Sequence, residues 1–155
     1  VKYRLDLRYY CTPFHRLTFA WLGRAGYLDP YGATDRVPDD QLFFLGGTSD
    51  VRGFDENKLR YDSDGNAVGG RSAVAGSVEA RVDVGHNFEL AAFYDVGAVG
   101  DMYDETISDE FRNSVGGGLR YVTPIGPIGL LYGVKLDRKP GESAGRLHFS
   151  IGYTF

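Results

Sequence analysis

The chain has 155 residues, enough for one domain or part of one. A net charge of −4 and a pI near 5.3 leave no electrostatic footprint for nucleic acid. No apolar run approaches the length of a membrane helix and mean hydropathy is slightly negative (−0.27), which does not exclude a membrane protein built from alternating strands. The 22 Gly, 11 Tyr and 10 Phe suit an all-β chain. Cys11 stands alone, so no disulfide framework or cysteine metal site is expected.

Seven strands are predicted, and nearly all alternate. Residues 1–10 set Tyr3, Leu5, Leu7 and Tyr9 against Lys2, Arg4, Asp6 and Arg8, with a short turn expected around Thr12 and Pro13. Residues 17–27 set Leu17, Phe19, Trp21, Ala25 and Tyr27 against Thr18, Ala20 and Arg24. After a long connection, residues 77–84 place Val78, Ala80, Val82 and Val84 opposite Ser77, Glu79, Arg81 and Asp83. Residues 88–99 put Leu90, Ala92, Tyr94 and Val96 on the apolar face and Asp95 on the other. Strands over 114–123 and 129–136 come next. The last strand, 147–155, sets Leu147, Phe149, Ile151, Tyr153 and Phe155 against His148, Ser150, Gly152 and Thr154. An edge strand with a wholly apolar outward row would aggregate in water. A transmembrane β-barrel requires such a row, with small or polar groups toward the lumen and aromatics at the interface.

The turns alternate in length. His86-Asn87 and residues 123–127 are tight, whereas 101–113 and 137–145 are longer and polar, as at the two rims of an outer-membrane barrel. Tyr and Trp near the strand ends suit an interfacial girdle, and mixed charge signs on the opposite faces suit a wet lumen. No second apolar set is evident that could close a small dry core. The expected fold is an all-β, antiparallel transmembrane β-barrel. An odd strand number marks the chain as part of a barrel, since bacterial barrels of this type close with an even number.

Residues 41–70 are too long for a hairpin loop and carry Gly46-Gly47 and Val51-Arg52-Gly53-Phe54. Such glycines allow sharp turns and present Arg52 at a tip. The residues alone leave two placements open. Arg52 could sit in an exposed turn, or it could be buried, in which case it needs a carboxylate such as inward-facing Glu79 or Asp95.

Leu45-Gly46-Gly47, Val51-Arg52-Gly53-Phe54, Gly69-Gly70, the strand with Glu79 and the run Phe93-Tyr94-Asp95-Val96-Gly97 together resemble the outer-membrane protein assembly factor family (BamA/TamA-like). Residues 114–127 (SVGGGLRYVTPIGP) and the terminal HFSIGYTF are similar to its last strands. The resemblance implies the C-terminal seven strands of a sixteen-stranded barrel in the bacterial outer membrane, with POTRA domains outside this chain. It implies that residues 41–70 fold back into the lumen, that Arg52, flanked by Gly53 and Phe54, pairs with Glu79 and Asp95, and that the last strand forms one side of a weak lateral seam. Phe149, Ile151, Gly152, Tyr153 and Phe155 are the seam candidates, with Gly126, Gly129 and Gly152 loosening it. The implied function is folding and inserting β-barrel clients, without a cofactor. The implied partners are those clients, membrane lipids, lipopolysaccharide and accessory lipoproteins. A polypeptide-translocating pore of the same superfamily and a soluble ligand-binding β-barrel are the alternatives.

Enzyme chemistry has little support in the sequence. His15, His86 and His148 are scattered without metal-ligand spacing. Gly116-Gly117-Gly118 lies in a strand pattern, so it is no phosphate cradle. Residues 62–66 (DSDGN) only echo a calcium loop and lack its terminal Glu.

Overall fold

The computed structural model describes residues 1–30, 37–101 and 111–153. Within them, β1 (Lys2–Phe14), β2 (Leu17–Leu28), β3 (Ser72–Gly85), β4 (Phe88–Gly100), β5 (Arg112–Thr123), β6 (Gly126–Lys135) and β7 (Gly145–Ile151) form one antiparallel sheet in sequence order. Each strand pairs with the next, so β1 and β7 each keep a free edge among the described residues.

Alternation decides which way each side chain points, and in the middle of the sheet the charged rows are the hidden ones. Glu79 on β3, Asp95 on β4 and Arg120 on β5 are fully buried (0 % exposed). Val78, Tyr94, Leu119, Leu130 and Phe149, on the opposite face of five successive strands, are 41–60 % exposed. A soluble sandwich would show the reverse. An open apolar surface of this extent backed by a charged inner face is the pattern of a membrane barrel, and the sheet is an arc of one.

The connections obey the same geometry. His15-Arg16, His86-Asn87 and Pro124-Ile125 close tight hairpins on one rim, and the longer links lie on the other. His86 and Asn87 both take positive φ (55° and 64°), the twist that a two-residue hairpin demands.

Several boundaries differ from the sequence reading. β1 runs through the expected Thr12-Pro13 turn to Phe14, with a register break between Cys11 and Phe14, because Pro13 has no N–H to give the ladder. β3 begins at Ser72 rather than 77, and β6 at Gly126 rather than 129. The largest departure is at the end. β7 stops at Ile151, where Gly152 takes φ +83° and donates its N–H to the Pro127 carbonyl at 2.7 Å. The alternation breaks there. Tyr153 therefore leaves the lipid-facing row and lays its ring 4.3 Å from the Arg81 guanidinium and 5.7 Å from that of Arg120. Phe155 lies outside the described residues.

A second apolar set, not evident in the strands, is supplied by the β2–β3 connection. Phe43, Leu45, Val51, Phe54 and Leu59 from that loop pack with Leu28, Ala73, Ala75 and Val99 on the inner wall. The wall offers small residues because the loop brings the large ones.

Replacing Val78 with Lys, in the middle of the lipid-facing row, is expected to destabilise the barrel by about 2–4 kcal/mol. Urea unfolding of the full-length protein in lipid vesicles measures this. The same change at exposed Ser63 on the loop should leave the midpoint unmoved.

Candidate functional site

The β2–β3 loop lies on the inner face of the sheet and presents its tip to four strands. Its base is tied by a short bridge between Phe43 and Gly70, and a further turn closes at Tyr61 and Ala67. Asp62 accepts from the backbone N–H of Asp64 (3.0 Å) and Asn66 (2.8 Å), so residues 62–66 form a self-contained turn.

Arg52 occupies the tip and is 1 % exposed. Its Nε and Nη2 donate to the two oxygens of Asp95, both at 2.7 Å. Its backbone N–H donates to the same carboxylate at 3.0 Å. Nη1 donates to Glu79 Oε2, and Nη2 also reaches Ser77 Oγ at 3.0 Å. The guanidinium carbon sits 3.6 Å from the centre of the Phe93 ring. A planar fork is needed for this arrangement, because the two carboxylates stand on different strands and require donors in different directions.

Glu79 serves more than Arg52. Arg120 donates to it through Nη1 (2.7 Å) and Nη2 (3.2 Å), and Arg81 Nε donates at 2.6 Å. Arg120 also approaches Glu89 at 3.4 Å. Three guanidinium groups thus face three carboxylates across β3, β4, β5 and the loop, and the cluster is nearly neutral. Neutrality is what makes its burial tolerable, since an unpaired buried charge costs several kcal/mol.

Close backbone approach seats the tip. Gly53 has φ +94°, and a Cβ there would meet the Gly133 backbone at 3.0 Å. Conversely, a Cβ on Gly133 would come within 2.5 Å of Gly53 N and 2.8 Å of the Arg52 carbonyl carbon. Neighbouring Gly116, paired with Gly133 across β5 and β6, leaves the space that the Phe93 ring fills. Phe54 is buried beyond the tip, with Arg112 at 4.8 Å and Lys135 at 5.2 Å from its ring. Arg52, Glu79 and Asp95, whose pairing the resemblance implies, thus meet at the tip, with Gly53 seated on β6 and Phe54 packed beyond it.

Two further ion clusters hold the loop. On the β1–β2 side, Arg24 joins Asp6 of β1 (2.6 Å) to Asp50 of the loop. Burial pushes the Asp50 carboxyl up, against the pull of Arg24. On the rim with the long connections, Arg112 donates to Asp137 (2.8 Å) and to both oxygens of Glu142 (2.9 and 2.8 Å), while Tyr61 Oη donates to Glu142 at 2.6 Å. Burial raises the Glu142 carboxyl, but the hydrogen bonds from Arg112, Tyr61 and the Lys139 N–H outweigh it and hold it at about 2.

The seam candidates divide. Phe149 and Ile151 point outward beside the free edge of β7, whereas Tyr153 turns to the lumen side. Gly129 serves packing rather than looseness, because a Cβ there would strike Arg120 Cγ at 2.8 Å and Ser150 Oγ at 3.0 Å. Arg120, Phe93, Gly133, His148 and the Arg112–Glu142 pair were not singled out from the sequence as site residues. Strand parity alone places Arg120 and His148 inward, and that signal could have found them.

Comparison with known proteins settles the family. A model of the Omp85 superfamily domain matches residues 1–155. The chain belongs to the Omp85 superfamily. It is 28 % identical to the outer membrane protein assembly factor BamA of Neisseria meningitidis serogroup B, over 86 % of this chain and 21 % of that protein. It is 31 % identical to BamA of Nitratidesulfovibrio vulgaris over 77 % of this chain and 16 % of that protein. It is 32 % identical to the chloroplastic outer envelope protein 80 of Arabidopsis thaliana over 72 % of this chain and 15 % of that protein. The crystal structure of BamA from Haemophilus ducreyi lacking POTRA domains 1–3 superposes with a TM-score of 0.76, covering 96 % of this chain and 34 % of that one at 22 % identity. The chain therefore spans about a fifth of the length of the curated relatives it matches, and it is a BamA-like segment of an outer-membrane β-barrel.

Arg52→Ala strands the Asp95 carboxylate and should cost about 3–5 kcal/mol. Arg52→Lys should restore little, because one ammonium cannot span both carboxylates. Urea midpoints of the folded barrel, together with protease sensitivity of the loop, check both expectations. The Glu142 anchor carries its own pH dependence. Its carboxyl titrates at about 2 when folded against an ordinary 4.5, so its contribution is complete above 4.5 and fades as pH falls toward 2. A carbon-13 carboxyl titration of Glu142 should show the low midpoint in the wild type and a return toward 4.5 in Arg112→Ala.

Proposed function

We propose that this chain is the loop-bearing arc of an outer-membrane protein assembly factor, and that it contributes to folding and inserting β-barrel clients. The observation that carries this reading is the Arg52 seat. A loop of some thirty residues is held against the inner wall by charges on β3 and β4 and by bare backbone on β6. The same sheet leaves the β7 edge unpaired among the described residues, with apolar side chains outward. A client strand adding to such an edge satisfies its own N–H and C=O groups in hydrocarbon, where they have no water to fall back on. The client's burial of lipid-facing side chains supplies the driving force, so no nucleotide or cofactor chemistry is required. The rigid loop against the wall sets the curvature of the arc, and hence the presentation of that edge.

The test separates loop seating from charge. Gly133→Ala removes no charge, yet it drives a methyl into the backbone of Arg52 and Gly53. In the full-length protein reconstituted in liposomes, both Gly133→Ala and Arg52→Ala should slow the folding of a urea-denatured β-barrel client at least about tenfold, an effect of roughly 1.4 kcal/mol on the barrier. Wild-type client folding rates in both variants, with the loop shown displaced by protease cleavage, would overturn the reading.

A further inference from the structure

His148 stands on β7 with its imidazole turned inward and 5 % exposed. Among the described residues it makes no ion pair. Instead its two ring nitrogens meet two loop groups: the Gly53 backbone N–H donates to Nε2 at 2.8 Å, and Nδ1 lies 3.1 Å from Thr48 Oγ1. The first contact fixes the protonation state. An N–H donor cannot be accepted by a nitrogen that carries its own proton, so Nε2 is bare, Nδ1 holds the hydrogen and the ring is neutral. The two adjacent N–H groups of the tip are thereby divided between strands, that of Arg52 going to Asp95 on β4 and that of Gly53 going to His148 on β7.

We propose that His148 is a positioning residue that latches the terminal strand to the loop tip, and that acid opens this latch by protonating Nε2. The proposal rests on the reading that the seated loop governs how β7 is presented, and it adds the residue that joins the two. β7 pairs with only β6 among the described residues, so a side-chain link to the loop gives it an attachment beyond that ladder. The charged groups near the imidazole have other partners. Arg52 on the loop and Arg146 on β7 are cationic neighbours, and Arg146 is paired with Asp55. Asp95 on β4 faces the ring but is committed to Arg52. Glu56 of the loop lies 3.4 Å from the Thr48 backbone nitrogen, and the packed β6 positions, Leu131 and Gly133, carry no charge. An imidazolium would hence point an N–H at the Gly53 N–H with both arginines nearby. Once the ring is protonated the tip and β7 separate, while the Arg52 pairs, which do not involve His148, persist.

The full-length protein in lipid nanodiscs tests this by hydrogen exchange at the Gly53 amide and over 145–151, corrected for intrinsic exchange at each pH. Protection at Gly53 should fall about fivefold to tenfold between pH 7.5 and pH 5 in the wild type. His148→Gln places an acceptor oxygen near the Nε2 position without a titrating group, so its protection should stay high and flat across that range. His148→Leu should be unprotected throughout. Nitrogen-15 shifts of labelled histidine read the tautomer in unmutated protein, with the proton expected on Nδ1 at neutral pH. A wild-type profile as flat as that of His148→Gln, or a proton on Nε2 at neutral pH, overturns the latch. Neither result bears on client folding, so the assembly reading stands or falls by its own experiment.

Discussion

A guanidinium cannot be held out of water without anions, and that constraint shapes much of this molecule. Arg52 is buried at the end of a long loop, so two carboxylates must be carried to it by the wall. Each must sit on the inward parity of its strand, which fixes the register of β3 and β4 with respect to the lumen. A slip of one residue in either strand would turn Glu79 or Asp95 into hydrocarbon and bring a valine or tyrosine to face the arginine. The charge seat and the lipid-facing surface are thus two consequences of one alternation.

The same constraint explains the bare patch of wall. For the forked side chain to lie flat across both acids, the backbone behind it must approach β6 almost to contact, and Gly133 against Gly53 leaves that room. Phe93 then has space over Gly116 to lie against the guanidinium, so the aromatic ring covers a face that has no hydrogen-bonding capacity. Ser77 satisfies a further N–H, and its own hydroxyl donates to Asp95 at 2.5 Å. Arg120 and Arg81 neutralise what Glu79 would otherwise have in excess.

Strand parity was the legible part of the sequence. The rows through Val78, Tyr94 and Phe149 and the inward acids Glu79 and Asp95 come from counting by two, because backbone pleat leaves a strand no other choice. Parity failed where the backbone left the pleat. Gly152 at φ +83° turns Tyr153 out of the row, and nothing in the run from Leu147 to Phe155 distinguishes a pleated glycine from a turning one. The apolar contacts beneath the loop were hidden for a different reason. Phe43, Leu45 and Val51 carry no periodicity, and alanines at 73 and 75 look like weak strand residues until a loop is laid over them. The Arg112–Glu142 pair joins a strand to a connection with no local signature, so only the closed geometry brings it together. The arrangement around Arg52 was reached through resemblance, since the residues alone allowed an exposed turn.

The anchors are unequally spread, and the inequality gives the arc a direction. At one end the loop is fixed to β2 through Asp50 and Arg24, which in turn grips β1 through Asp6. In the middle, β3 and β4 hold Arg52 through several charge-assisted bonds. At the rim the loop is held through Tyr61 to Glu142 in the β6–β7 connection, but along β7 itself the grip thins to the exposed Arg146–Asp55 pair and the neutral bonds of His148. Neutral bonds contribute about half of what charge-assisted ones do, and the last strand has a ladder on one side only. Local opening begins at the weakest links. The order of release built into these contacts begins at β7, one of the two strands with a free edge among the described residues, while the loop, the acids and the central wall keep their shape.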